Sequence, residues 1–272
     1  MPESSLQSVP PLDIASWQRE QLPRWRALPA TPPVTDQVTA LAYCFWPPER
    51  MADLFFSIEA AFRATWEQCG RLRSKLVASH RFPELDAFCE KEGVALDLAP
   101  ELSGSLAAMS HDCIHNLHRR FETPYVLIIQ NDGFPLQPGL ETFVGPYDYI
   151  GAPWGTPTWY TGLLFPPPAY TVGNGGFSLR SKRICELAAH HARHGLRWVP
   201  ESWFTTEDIF YCRVLPCGSR RCRRMLRYAP PEGAGRFSLE ANESFLPPDG
   251  RTFGFHGEHA FRRSKQAGVC LP

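Results

Sequence analysis

Four short segments carry residue types able to do chemistry. The first is Gln130-Asn131-Asp132-Gly133, which closes the apolar run YVLII at 125–129. At the carboxyl end of a strand in an open α/β sheet, a carboxylate is placed to hold a cation bridging phosphates; an Asp-Gly step there also makes a plain turn. The second is Gly173-Asn174-Gly175-Gly176-Phe177-Ser178. Three glycines in four residues let a ligand approach the backbone closely, or shape a tight entry into a strand. The third is Thr205-Thr206-Glu207-Asp208, where two acids at a helix start serve as cap and first-turn charges or supply a general base. The fourth is Phe253-Gly254-Phe255-His256-Gly257, whose histidine lies on no helical or strand stripe. It is a metal ligand or a structural imidazole.

The elements that must position these segments alternate in type. Val38 to Phe45 reads as a buried first strand ending before Pro47-Pro48. Residues 50–79 show helical spacing, with Leu54, Phe55, Ile58, Phe62, Trp66 and Cys69 on one face. A helix over 84–92 ends at Gly93, a strand follows over 94–98, and 105–121 is helical again. The run at 125–129 is apolar throughout, as expected of a strand covered on both faces. Further on come a strand at 149–152, a loop rich in Pro, Trp and Tyr at 153–170, and a Gly-rich strand entry at 171–179. Helices are expected at 181–195 and 206–215, a basic run at 220–228, and short strands and loops over 236–262. This alternation predicts an α/β fold with a mostly parallel, twisted central sheet flanked by helices. Residues 1–36, Pro-rich and weakly periodic, are expected to form an extended arm whose Trp17, Trp25 and Arg26 pack on the body or on a partner. Residues 37–272 are expected to form one domain.

Composition narrows the function. The chain of 272 residues holds 28 Lys+Arg against 28 Asp+Glu. That balance gives no ground for a nucleic-acid partner and favours a compact substrate pocket. Nine cysteines, an odd number, fit no zinc frame and read as reduced thiols. No basic-then-apolar leader opens the chain, and no run approaches the roughly 18 apolar residues of a membrane span, so the expectation is a cytoplasmic location, either free or peripheral at the inner face of the membrane. His111, His115 and His118, like His190, His191 and His194, read as solvated helix faces. The Gly-rich turn is neither a Rossmann fingerprint nor a P-loop. Arg220, Arg221, Arg223, Arg224 and Arg227 are a solvated face, or contact an anionic lipid headgroup, a phosphorylated acceptor or a donor diphosphate.

Taken in order, strand–Asp, Gly-Gly, Glu-Asp and His-Gly, the chain resembles nucleotide-diphospho-sugar glycosyltransferases of the GT-A fold. It stands near the β-1,4-galactosyltransferase-like and related bacterial glycosyltransferase-like proteins. YVLIIQNDGFPL, YDYIGAPW, VGNGGFSLRSK, TTEDIF and FGFHG carry the likeness, over residues 38–260. The resemblance implies a GT-A-like single domain that moves a sugar from a nucleotide-diphosphate donor to an acceptor hydroxyl of a glycan or glycolipid, with inversion. It implies Asp132 and His256 as ligands of Mn²⁺ (or Mg²⁺), Asp208 as the base and Glu207 as its neighbour on the acceptor hydroxyls. Gln130, Asn131, Gly175, Gly176, Trp154 and Trp203 would contact donor or acceptor. Where the family has an earlier acid, this chain has Gln130, which lowers the ligand charge. That departure supports an alternative: a carbohydrate- or nucleotide-binding or scaffold protein that kept the fold and lost turnover.

Overall fold

The computed structural model describes residues 13–154, 172–194 and 206–266. Two strands, β1 (Val38–Cys44) and β4 (Tyr125–Ile129), are buried along their whole length, which is what their unbroken apolar runs require. They lie side by side at the centre of a six-stranded sheet. β1 pairs in parallel with β2 (Arg73–Ala78) and with β4, and β2 pairs in parallel with β3 (Ala95–Leu98). Beyond β4 the sheet continues through β7 (Ser178–Ser181) to β6 (Tyr149–Ile150). β7 is antiparallel to both neighbours, so it alone runs against the other strands of this sheet. The helices are α2 (Pro48–Cys69), α3 (Pro83–Glu92), α4 (Leu106–His115), α5 (Leu117–Arg120) and α6 (Lys182–His194). A second sheet joins β5 (Gly133–Pro135), β9 (Gly254–His256) and β8 (Ser238–Leu239) in the order β5-β9-β8. The expected α/β architecture with a mostly parallel sheet is what the chain forms.

Several boundaries differ from the sequence reading, each for a local reason. The helix expected over 50–79 ends at Cys69, because Gly70 takes φ +67° and packs so closely on Pro32 that a Cβ would overlap its carbonyl oxygen. The chain then enters β2. The helix expected over 105–121 breaks at Asn116, whose side-chain amide donates to Asp112 Oδ1 at 2.9 Å. Residues 207–218, α7, are helical but wound as a π-turn over Phe210–Val214. Pro216 follows, lacking the N–H that a regular turn would bond to the Cys212 carbonyl. The later helices are α8 (Arg220–Met225), α9 (Pro231–Phe237) and α10 (Glu258–Gln266).

The extended arm expected for 1–36 is corrected over Ile14–Ala27, which form helix α1. Ile14, Trp17, Leu22 and Trp25 do have helical spacing, but Gln18 sits in the stripe and Pro23 interrupts it, so the pattern reads weakly. Asp13 caps the helix by accepting from the Ser16 N–H at 2.7 Å. Trp17 is 2% exposed and stacks on Phe134, with centroids 6.1 Å apart. Arg24 and Trp25 both donate to Glu67 of α2. Gln18 is 1% exposed, and its amide donates to the Asn131 carbonyl at 2.6 Å. The helix thus holds the loop that follows β4.

Burial also explains the cysteines. The eight described cysteines are free, and all but Cys217 are buried. Burial pushes the Cys89 and Cys185 thiols up to about 11 and Cys44 to about 12, so they serve as small apolar fillers. Among the described residues no helix is long and apolar enough to cross a membrane.

Two predictions follow from these buried polar contacts. Gln18→Leu leaves the Asn131 carbonyl without its donor and should cost about 1–3 kcal/mol in urea denaturation; an unchanged midpoint would mean that α1 does not secure the loop. Asp148 accepts from Arg183 Nη2 (2.5 Å), the Arg227 N–H (2.8 Å) and Ser181 Oγ (2.8 Å). Burial opposes its charge, but these donors outweigh it and hold the carboxyl below the usual range. Such a group stabilises the fold fully above the unfolded carboxyl pKa of about 3.9, and that stability is lost as pH falls through the folded value. Asp148→Asn should therefore cost roughly 2–3 kcal/mol at neutral pH. The gap to the parent protein should close as the medium is acidified below the carboxyl range; a gap independent of pH would contradict a role for the charge.

Candidate functional site

The site begins where β4 ends. Gln130 and Gly133 exchange backbone hydrogen bonds, N–H to carbonyl, at 2.8 and 3.1 Å, turning the chain through Asn131 and Asp132. β5 then runs back against β9 with Gly133 opposite His256. The Gly257 N–H donates to the Asp132 carbonyl at 2.8 Å. This register brings the aspartate and the histidine together from positions 124 residues apart. His256 Nε2 lies 3.7 Å from Asp132 Oδ1 and 3.2 Å from Gln130 Oε1.

β8 adds a second carboxylate. Leu239 pairs with Phe255, so Glu240 comes alongside His256 and its Oε1 lies 3.1 Å from Nδ1. Glu240 carried no sequence signal of its own; only the pairing of β8 with β9 reveals it. Burial opposes charge on the imidazole, but the hydrogen bond to Glu240 and the negative charge of Asp132 outweigh it, and the His256 pKa is raised. In that state Nδ1–H donates to Glu240 and Nε2–H to the Gln130 amide oxygen.

The Gly-rich turn closes over this group. Asn174 has φ +64°, the single non-glycine residue at positive φ among those described, and its Oδ1 accepts from the Gly176 N–H at 3.1 Å. A Cβ on Gly176 would overlap His256 Nε2, and one on Gly175 would overlap Glu207 Oε1. Two adjacent glycines therefore let one backbone stretch touch both charged groups, a close approach that any side chain would block.

Beyond Gly175 lies a buried polar cluster. Arg180 has no exposed surface. Its Nη2 lies 3.4 Å from Glu207 Oε1 and donates to the Gly175 carbonyl at 3.2 Å, while Nε donates to Ser178 Oγ at 3.0 Å. Ser110 Oγ of α4 donates to the other Glu207 oxygen at 3.1 Å. The guanidinium carbon stands 4.7 Å from the Tyr211 ring centroid and 5.4 Å from that of Tyr149, a cation–π arrangement. Among the described residues, Arg180 Nη1 and Asn174 Nδ2 are buried without a hydrogen-bond partner. Buried donors of this kind call for a water or ligand oxygen. Asp208 accepts from the Ile209 N–H at 2.8 Å. Burial and the neighbouring Glu207 charge raise its pKa.

The structure thus gathers Gln130, Asp132, Gly175, Gly176, Glu207 and His256, with Glu240 and Arg180 as members the sequence did not single out. Asn131 contributes its carbonyl to Gln18 at the turn. Trp154 packs against Gly173, under the guanidinium of Arg213 at 4.1 Å. Trp203, with Trp159, Tyr160, Thr205 and nearly all of the 153–170 loop, lies outside the described residues. Grooves of about 370 and 400 Å³ lie elsewhere, between α1, α2 and α3. Their shared Arg26 and Arg63 are already paired with Glu59, and Arg63 and Arg71 with Glu92.

Among the described residues no group of three or more His, Cys, Asp or Glu side chains is placed to hold a metal ion. Asp132, His256 and the Gln130 amide oxygen make a smaller set. Gln130 Oε1 lies 3.2 Å from His256 Nε2, near the about 3 Å between adjacent ligands bound at about 2.1 Å, while Asp132 Oδ1, at 3.7 Å, would have to close in. With Glu240 fixing Nδ1, the arrangement also has the carboxylate–histidine pairing usual behind a metal ligand. The set fits a divalent ion only if ligand oxygens complete the shell. His111 and His115, whose rings stack at 4.1 Å on α4, belong to no such group.

No curated protein sequence matches the chain. Remote likeness to solved structures is found with the mannosyltransferase PcManGT from Pyrobaculum calidifontis, in complex with GDP-Man and Mn²⁺. The identity is 16%, over 93% of this chain and 68% of that one, with a TM-score of 0.40. The glycosyltransferase GlyE of Streptococcus pneumoniae TIGR4 shows 10% identity over 80% of this chain, with a TM-score of 0.42. This chain spans about half of GlyE, 53%. The mannosyltransferase Ktr4p from S. cerevisiae shows 9% identity over 76% of this chain and 74% of its own, with a TM-score of 0.41. A family model described as a protein of unknown function, DUF5672, matches residues 107–256. That span opens beside Ser110 and closes on His256, and it holds every residue of the site; the chain belongs to the DUF5672 family.

Proposed function

We propose that the chain is a nucleotide-sugar glycosyltransferase of GT-A type that transfers a sugar to an acceptor hydroxyl with inversion, aided by a divalent metal. The observation that carries this reading is the meeting of Asp132, Gln130 and His256 across Gly176, with Glu207 against the adjacent Gly175. When bound, Mn²⁺ or Mg²⁺ would neutralise the charge that grows on a departing nucleotide diphosphate. Asp132 and His256 would hold it, His256 giving up its Nε2 proton while Nδ1–H stays on Glu240. The orphaned Arg180 Nη1 and Asn174 Nδ2 supply donors for sugar or phosphate oxygens. Glu207, held by Arg180 and Ser110, orients acceptor hydroxyls. Asp208, whose pKa is raised by burial and the Glu207 charge, serves as the proton acceptor. The finer likeness to β-1,4-galactosyltransferase-type enzymes and a part in bacterial polysaccharide synthesis belong to this proposal.

A second reading is favoured by Gln130 and by the lack of a third charged ligand among the described residues. It holds that the protein binds a nucleotide or carbohydrate without turnover.

Thermal-shift titration with nucleoside diphosphates, with and without Mn²⁺, followed by donor hydrolysis assays, separates the two. Metal-dependent binding with hydrolysis supports the enzyme; binding without hydrolysis supports the second reading; no binding removes both. Within the enzyme, Asp208→Asn should lower kcat by about 10²–10⁴-fold while metal affinity stays unchanged. His256→Ala should instead abolish the Mn²⁺-dependent shift. Gly176→Ala tests the cradle directly: the added methyl must displace the imidazole, at about 1–3 kcal/mol of stability, and should remove the Mn²⁺ response. A variant that kept both would show the close approach to be dispensable.

A further inference from the structure

The basic run of α8 takes no part in the site. Arg220, Arg221, Arg223 and Arg224 are all exposed, and no carboxylate pairs with any of them among the described residues. From Ile209 to Pro231 the sequence has six arginines and no acid, although the chain as a whole carries as many acids as bases. Cys222 is buried on the inner side of α8. At 100° per residue the four arginines spread over about 160° of the opposite side. Met225, 38% exposed, stands at the edge of this fan and accepts from Arg221 Nε at 3.4 Å.

The fan does not serve the helix. Two of its cations occupy the first turn, where the helix dipole disfavours positive charge, and all four repel one another. Its shape is convex, and none of the cavities described above is lined by these side chains. It does not enclose a small anion. A neutral chain with one convex cationic face and an exposed thioether at its rim is matched to a broad, flat, anionic surface with an apolar layer beneath its charges. A nucleic acid would reward the arginines but not Met225.

We propose that the arginine fan of α8 docks the protein on an anionic lipid bilayer. This inference is independent of the sugar-transfer reading and survives its failure. Co-sedimentation of the full chain with vesicles tests it, using phosphatidylcholine alone and phosphatidylcholine mixed with phosphatidylglycerol. The protein should sediment with the mixed vesicles only, and added salt should release it. Changing the four arginines to Gln should weaken partitioning by about fivefold per residue, and changing them to Lys should preserve it. These side chains are exposed, so matching melting curves will show that the variants fold. The proposal is overturned by equal binding to neutral vesicles, by undiminished binding of the Gln variant, by loss in the Lys variant, or by tighter binding to a single-stranded oligonucleotide at the same salt.

Discussion

A guanidinium with no exposed surface lies at the junction of three elements, and their arrangement depends on how its charge is met. Arg180 sits on β7, the one strand of the main sheet that runs against the rest. An unpaired charge in that position would cost several kcal/mol. Glu207 from α7, Ser178 from β7 itself and the Gly175 carbonyl share the task, with two tyrosine rings around them. Glu207 is in turn held by Ser110 of α4. Burial works against the charge, but the surrounding tyrosines and Glu207 keep Arg180 protonated well above the ordinary range. The Gly-rich turn is thereby pinned from below, and Gly176 is presented to His256 in a fixed position.

The second half of the site is built by backbone pairing and not by charge. Asp132 and His256 meet because β5 and β9 align Gly133 with His256, and Glu240 joins because β8 extends that ladder. Short strands of two or three residues have little stability of their own. They are held by Phe134, Phe177, Phe237, Phe253 and Phe255, whose rings pack on one another edge-to-face, stacked or tilted. Trp17 of α1 adds to this layer from outside. These phenylalanines thus hold a small sheet in register.

How much of this was legible in the sequence differs by element. β1 and β4 announced themselves because strands buried on both faces must be apolar throughout. Asp132, Gly175, Gly176, Glu207 and His256 stood out by the order of their segments and the likeness that order carries, since each segment alone also fits a turn, a strand entry, a cap or a structural imidazole. α1 did not, since its stripe includes Gln18, whose polar side chain is buried to serve a carbonyl 113 residues away. Glu240 and Arg180 were equally silent: their roles arise from pairing and burial, and neither leaves a periodic trace. β2 was absorbed into the preceding helix because only the close approach of Gly70 to Pro32, invisible to spacing, marks the helix end.

The family match sharpens this division of labour. It opens within α4, so β1, β2, β3 and α1 fall outside it, while every charged residue of the site falls inside. Yet the matched part cannot complete the sheet alone, because β4 needs β1 along one edge. Nor does it secure the turn after β4, whose Asn131 carbonyl is bonded by Gln18 of α1. The amino-terminal half therefore acts on the site through the β1 ladder, the Gln18 amide and the Trp17 ring on Phe134. Contacts to main chain place few demands on the identity of the residues they touch. The residues that the ladder and the amide touch are thus little constrained by them, whereas Gln18 and Trp17 are not: the turn at Asp132 depends on the one's amide and β5 on the other's ring.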